Sequence, residues 1–196
     1  MKKVLIAYNN DSECELHDFF ESCADEAKAF CVENNLDYIS IFPPTLNKDN
    51  VIDSMLEYDV CVLSAHGDSS GIYNEGQEEI VSIHTINYNF KDKGFYAIAC
   101  SCAQNLYPQL RQVGLSFFVG YSGEFRVKGE REPFVVSAMS GLKSLMQGNT
   151  IEEAKMDMLR CFDEQIKLLD GTNPWAAAYL LNNRECLVFE GENIFV

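Results

Sequence analysis

The chain has 196 residues, 47% of them hydrophobic and 12% aromatic, enough for one sizeable core and short for two, so a single domain over 1–196 is expected. Its 15 Lys and Arg against 30 Asp and Glu give a formal charge of −15, a field that repels phosphate backbones and anionic lipid and argues against nucleic acid or a membrane surface as a direct partner. The opening "MKKVLIAYNN" has the lysines of a signal peptide, but its apolar stretch, 4–8, is too short for the hydrophobic region and no small-residue cleavage site follows. No stretch approaches the roughly 20 apolar residues that cross a bilayer, and the expected location is the cytoplasm.

Residues 4–8 read as a short buried strand. A helix over about 13–34 follows, with Leu16, Phe19, Phe20, Cys23, Ala27, Phe30 and Cys31 on one face. A second strand, 37–42, is stopped by the proline pair 43–44. A short helix over 48–58, with Val51, Met55 and Leu56 on one side, leads to a strand over 59–65 in "DVCVLSAHG". Residues 67–93 are polar and contain glycine, with "EEIVSIHTI" as a short strand or helix inside them. "GFYAIAC" is again a buried strand, "AQNLYPQLRQVG" a helix ending at Gly114, and "LSFFVGY" a further strand. After the charged loop 123–133, "GEFRVKGEREP", comes a helix over 134–147, then one N-capped by Thr150 with Glu153 completing a capping box. "NPWAAAYLLNN" is a last short helix and "CLVFEGEN" a closing strand. Strand and helix alternate from the start, which predicts an α/β fold with a mostly parallel sheet.

Eight cysteines would suggest disulfides in a secreted chain, but in a reducing compartment they are expected to stay free. Cys23 and Cys31 read as small hydrophobes of the helical stripe. Zinc wants paired ligands, and Cys14 with His17 is a lone CxxH with no second pair in sequence, so no metal and no other cofactor is expected. Cys100 and Cys102 lack the CxxC spacing of a redox pair, and Cys102 is expected to face the packing of the following helix.

In an open parallel sheet, chemistry gathers at the carboxyl ends of the strands. His66 and Cys100 both fall at that end of successive predicted strands. If those strands are neighbours, their ends lie about 5 Å apart and both side chains can face one substrate. A nucleophilic thiol, an imidazole to move its proton, and backbone donors at Gly67 and Cys100 are the parts of a Cys–His hydrolase. On position alone, a structural histidine and a buried filler thiol account for the two residues as well as a dyad does.

The stretches "VCVLSAHG" and "FYAIACS" resemble the His-Gly and Ala-Cys motifs of the caspase-like (clan CD) cysteine peptidases. Within that group the chain is most similar to the CHAT branch, which includes the separases. "GLSFFVGYSGEF", "GLKSLMQGNTIEEAKMDML", "NPWAAAYLL" and "CLVFEGE" agree in order with later parts of the family, so the resemblance covers about 59–190. It implies a three-layer α/β/α sandwich, caspase-like, with a mostly parallel central sheet. It further implies that His66 is the general acid and base, that Cys100 is the nucleophile forming a thioester, and that Gly67 and the Cys100 backbone form the oxyanion hole. Ile98 stands where caspases place a glutamine that helps grip an Asp side chain, which argues against cleavage after Asp. In separases an acidic residue beyond the fifth strand receives a basic P1 side chain; Glu124 is the candidate here, with Glu130 and Glu132 in reserve.

The kinship implies a protein or peptide substrate and a place in antiviral defence or cell death, and control is expected to come from a separate activator protein, from self-association or from the loops themselves. Arg126, Lys128 and Arg131 in the loop 123–133 make self-processing there an expectation for a basic-specific enzyme. The rival to an endopeptidase is a CHAT-like module that keeps the fold and serves only to bind or regulate. Another Cys–His enzyme on an α/β sheet would commonly carry a Gly-x-Cys-x-Gly elbow, and "IACSC" has no flanking glycines.

Overall fold

A computed structural model describes residues 2–195. The chain runs β1 (Lys3–Tyr8), α1 (His17–Glu33), β2 (Asp37–Ile41), α2 (Lys48–Glu57), β3 (Val60–Ser64), β4 (His66–Gly67), β5 (Gly71–Tyr73), β6 (Glu79–Ser82) and β7 (Gly94–Ile98). It continues through α3 (Leu106–Gln112), β8 (Phe117–Tyr121), α4 (Glu132–Met146), α5 (Ile151–Asp170), α6 (Pro174–Glu185) and β9 (Leu187–Gly191). Six strands form a central sheet in the order β2-β1-β3-β7-β8-β9. All its pairs are parallel except the last, where β9 runs antiparallel to β8. The remaining three strands form a small antiparallel sheet, β4-β5-β6.

Alternation along each strand divides the core between the two faces of the sheet. Val4, Ile6 and Tyr8 of β1 point to one face and pack with α1, α4 and α5, whereas Leu5 and Ala7 point to the other and pack with α2, α3 and the small sheet. The result is the expected three-layer α/β/α sandwich, its strands apolar on both faces because helices cover both. No helix among the described residues is long and apolar enough to cross a membrane.

Several boundaries differ from the sequence expectation for local reasons. The first helix starts at His17 rather than near 13. Ahead of it, Cys14 N–H bonds the Asp11 carbonyl at 2.9 Å and His17 N–H bonds the Cys14 carbonyl at 3.1 Å, so the chain is held in turns. The helix expected over 103–114 shrinks to Leu106–Gln112, because Tyr107 N–H bonds the Cys102 carbonyl at 3.2 Å, five residues back, instead of the Ala103 carbonyl that an earlier start would require. The capping box forms as expected: Thr150 N–H donates to Glu153 Oε2 at 2.9 Å and Glu153 N–H to Thr150 Oγ1 at 3.3 Å. "EEIVSIHTI" contributes strand β6, and the small sheet it completes leaves no mark in the sequence, since β4 and β5 are too short for any periodicity to register.

Candidate active site

Strands β3 and β7 are parallel neighbours whose register ends at Ser64 opposite Ile98, and Ala65 N–H continues the ladder to the Ile98 carbonyl at 3.3 Å. Two residues past that last pair lie His66 after β3 and Cys100 after β7, so the two leave adjacent strands at one level. Their backbones touch through Gly67. A methyl group at Gly67 would sit 2.9 Å from the Cys100 carbonyl oxygen and 3.3 Å from the Cys100 nitrogen, so only glycine fits there without displacing the Cys100 peptide.

The two donors expected at the oxyanion position are available. Asp68 N–H bonds the Gly71 carbonyl at 2.9 Å, so by the alternation of an antiparallel ladder the next pair, Gly67 with Ile72, is a non-hydrogen-bonded one. Gly67 N–H therefore points away from β5. Among the described residues the Cys100 N–H also has no acceptor. Directly after Cys100 the chain turns sharply: Ser101 takes a left-handed φ of 54°, unusual for a residue with a side chain, and its N–H is anchored on the Gly123 carbonyl at 2.8 Å. The sharp turn that flanking glycines provide elsewhere is made here by Ser101.

Cys100 is half-buried, and its Sγ accepts the Phe125 N–H at 3.3 Å. Burial raises its pKa, Glu124 pushes the same way, and the Phe125 N–H and Arg126 oppose them. Cys102, fully buried between β8 and α3, donates to the Ala99 carbonyl at 3.4 Å and is raised to about 12 by burial.

The imidazole of His66 is held by groups the sequence did not connect with it. Its Nε2 lies 3.1 Å from Cys14 Sγ and 3.4 Å from Glu75 Oε2, and Phe20 packs edge-on at 5.6 Å between centroids. An ionised carboxylate only accepts, so Glu75 favours the tautomer protonated at Nε2 and leaves the Nδ1 lone pair exposed. Among the described residues Nδ1 has no hydrogen-bond partner, and no hydrogen bond joins His66 to Cys100. Asn9, fully buried at the end of β1, donates from Nδ2 to the same Glu75 oxygen at 3.4 Å and is itself fixed by its N–H on the Ser64 carbonyl at 3.0 Å.

Cys14 does not act with His17. The His17 ring turns instead to the Cys14 carbonyl, at 2.7 Å, and to Asp18, at 2.8 Å. The Cys14 thiol is buried and its pKa is pushed up to about 11, chiefly by that burial. Cys14 Sγ, His66 Nε2 and a Glu75 oxygen, each from a different segment, all lie within 4.8 Å of one another.

Of the three acidic residues named for a basic side chain, Glu124 is beside the thiol through its neighbour Phe125. Its carboxylate is already engaged by the guanidinium of Arg126, at 3.0 Å to Nε and 2.6 Å to Nη2. Glu130 is exposed and lines a hollow against Leu169 and Asn173, and Glu132 is exposed in the first turn of α4. Neither shares a hydrogen bond or ion pair with Cys100 or His66. The loop 123–133 is docked rather than free: Asn183 Oδ1 accepts Arg126 N–H at 2.8 Å, Asn183 Nδ2 donates to the Arg126 carbonyl at 2.7 Å, and Asn182 Nδ2 donates to the Glu124 carbonyl at 2.8 Å. Arg131 is paired with Asp18, and Lys128 is exposed without a partner among the described residues.

The chain matches no known protein family in comparison, and no curated protein matches it either.

Proposed function

We propose that the protein is a cysteine endopeptidase that cleaves a partner protein or peptide in the cytoplasm, with Cys100 as nucleophile and His66 as general acid and base. The observation that carries this reading is the convergence of His66, Gly67 and Cys100 at the carboxyl ends of paired strands, with the Gly67 and Cys100 N–H groups left without backbone acceptors. The resemblance to caspase-like peptidases of the CHAT branch, and the order of strands with an antiparallel β9, support it.

In the reaction, Cys100 Sγ attacks the scissile carbonyl carbon while His66 Nδ1 takes the thiol proton. The raised pKa of Cys100 favours this order, proton loss during attack rather than a thiolate standing ready. Gly67 N–H and Cys100 N–H stabilise the tetrahedral oxyanion, worth about 3–4 kcal/mol for one such donor. The leaving amine takes the proton from Nδ1, a thioester remains on Cys100, and water activated by the same nitrogen releases the acid. Glu75 positions the ring by holding Nε2. Basic P1 specificity at Glu124 requires an incoming side chain to displace Arg126.

The test is digestion of a mixed peptide library by wild-type protein, Cys100→Ala and His66→Ala, with mass spectrometry of the products. Cleavage lost in both variants supports the reading, and the residue before each cut reports P1. No cleavage by the wild type, even with cell extract added as a source of activator, favours the binding module without catalysis.

A further inference from the structure

We infer that Cys14, His66 and Glu75 form a zinc(II) site, and that zinc bound there shuts off His66. The binding rests on the geometry of three side chains; its regulatory consequence rests on the peptidase reading.

Zinc bonds of about 2.3 Å to sulfur and about 2.0–2.2 Å to nitrogen and oxygen imply tetrahedral edges of about 3.4–3.6 Å between ligand atoms. The observed 3.1 Å from Cys14 Sγ to His66 Nε2 and 3.4 Å from Nε2 to Glu75 Oε2 are close to those edges before any adjustment. The donor set narrows the metal to the zinc-like class. One thiolate, one imidazole and one carboxylate suit zinc, whereas magnesium and calcium take oxygen ligands almost exclusively. The ligands come from the β1–α1 turn, from β4 and from the turn after β5, so the site is held by three packed segments. It also has an outer shell: buried Asn9 holds the Glu75 oxygen, and Phe20 packs on the imidazole. His66 and Glu75 keep side-chain exposures of 38% and 31%, which leaves a side for entry and for water as fourth ligand.

Binding displaces the Cys14 thiol proton to solvent and moves the His66 proton from Nε2 to Nδ1, since the Nε2 lone pair goes to the metal. Nδ1 then carries a hydrogen and cannot accept one from Cys100. The same nitrogen that Glu75 keeps protonated for catalysis becomes, under zinc, the reason the ring is no longer a base. The thiol of Cys100 is untouched.

Metal-free protein titrated with Co(II), as a spectroscopic stand-in, and then with Zn(II) tests this directly. The expected result is one Co(II) per chain with a thiolate-to-cobalt charge-transfer band, lost on adding Zn(II). Cys14→Ser is expected to remove the band and weaken zinc binding by about tenfold or more, Glu75→Gln to weaken binding while keeping the band, and Cys100→Ala to change neither. A wild-type spectrum without the band overturns the site. So does a band that survives in Cys14→Ser or disappears in Cys100→Ala. Far-UV circular dichroism of each variant, and the half-exposed Glu75→Gln, guard against a loss due to misfolding. In a hydrolysing preparation, zinc is expected to inhibit the wild type at about tenfold lower concentration than Cys14→Ser, each measured against its own zinc-free rate. Equal inhibition of both overturns the regulatory step. Metal binding as described with no hydrolysis under any condition upholds the site and counts against the peptidase reading alone.

Discussion

Gly67 lies against the peptide of Cys100 so closely that a single added methyl would fall 2.9 Å from the Cys100 carbonyl oxygen. The atoms in the way are backbone and the Ala99 methyl, neither of which can swing aside. Gly67→Ala is therefore expected to destabilise the protein by about 1–3 kcal/mol, the usual cost of overpacking. Urea unfolding reads that cost, and the rate at which iodoacetamide labels Cys100 should change with it. An unaltered midpoint together with unaltered labelling would contradict the contact.

The reactivity of Cys100 should depend steeply on pH. Burial holds its pKa above the ordinary value, so the thiolate is scarcer at pH 7 than in a free cysteine. Alkylation at this position, followed by peptide mapping, should rise about tenfold per pH unit from 7 and still be rising at 9. A plateau below pH 8 would mean that Arg126 and the Phe125 N–H outweigh burial and stabilise the thiolate.

Asn183 is fully buried and satisfies both backbone groups of Arg126. Asn183→Ala leaves an N–H and a carbonyl without partners, each at a cost of about 1–3 kcal/mol if they stay buried. The loop can escape part of this by lifting off α6 into water. The prediction is thus a loss of about 2 kcal/mol in stability and faster tryptic cutting at Arg126, Lys128 and Arg131. Stability lost with no change in tryptic rate would show that the loop is held elsewhere.

Two buried tyrosines should respond in opposite senses to loss of the hydroxyl. Tyr96 donates to the Ala138 carbonyl at 2.5 Å, linking β7 to α4, and Tyr96→Phe should cost about 1 kcal/mol. The Tyr121 hydroxyl is buried with no partner among the described residues, so Tyr121→Phe should leave stability unchanged or raise it by about 1 kcal/mol. Thermal unfolding of the pair separates them. A destabilised Tyr121→Phe would reveal a hydrogen bond made by that oxygen.

The layers of this fold are legible in the sequence because the signals are local. Apolar runs bounded by turns mark the strands, a helical stripe marks α1, and Thr150 with Glu153 announces the start of α5. Half of the site is legible for the same reason, since His66 and Cys100 terminate strands visible by themselves. Glu75 and Cys14 are not, because nothing near either one in sequence points to a histidine 9 residues before the one and 52 residues after the other. Glu75 follows His66 through a hairpin of two short strands, and Cys14 reaches it from a different segment altogether. Contacts of that kind depend on where β4 and β5 lie, and strands of two and three residues leave no periodic trace. The pairing of Glu124 with Arg126 escapes for another reason: a charged loop reads as solvated until the helix that pins it, α6, is placed.

The two proposed reacting groups belong to different sheets. Cys100 is carried by the tip of β7, a central strand of the large sheet, whereas His66 is the first residue of β4, at the edge of the small one. The spacing between thiol and imidazole is thus a joint between two bodies rather than a dimension of either. Ile72 of β5 and Ile80 and Val81 of β6 are fully buried in the core on that face of the large sheet, so the packing that steadies the core also holds the strand that carries the imidazole.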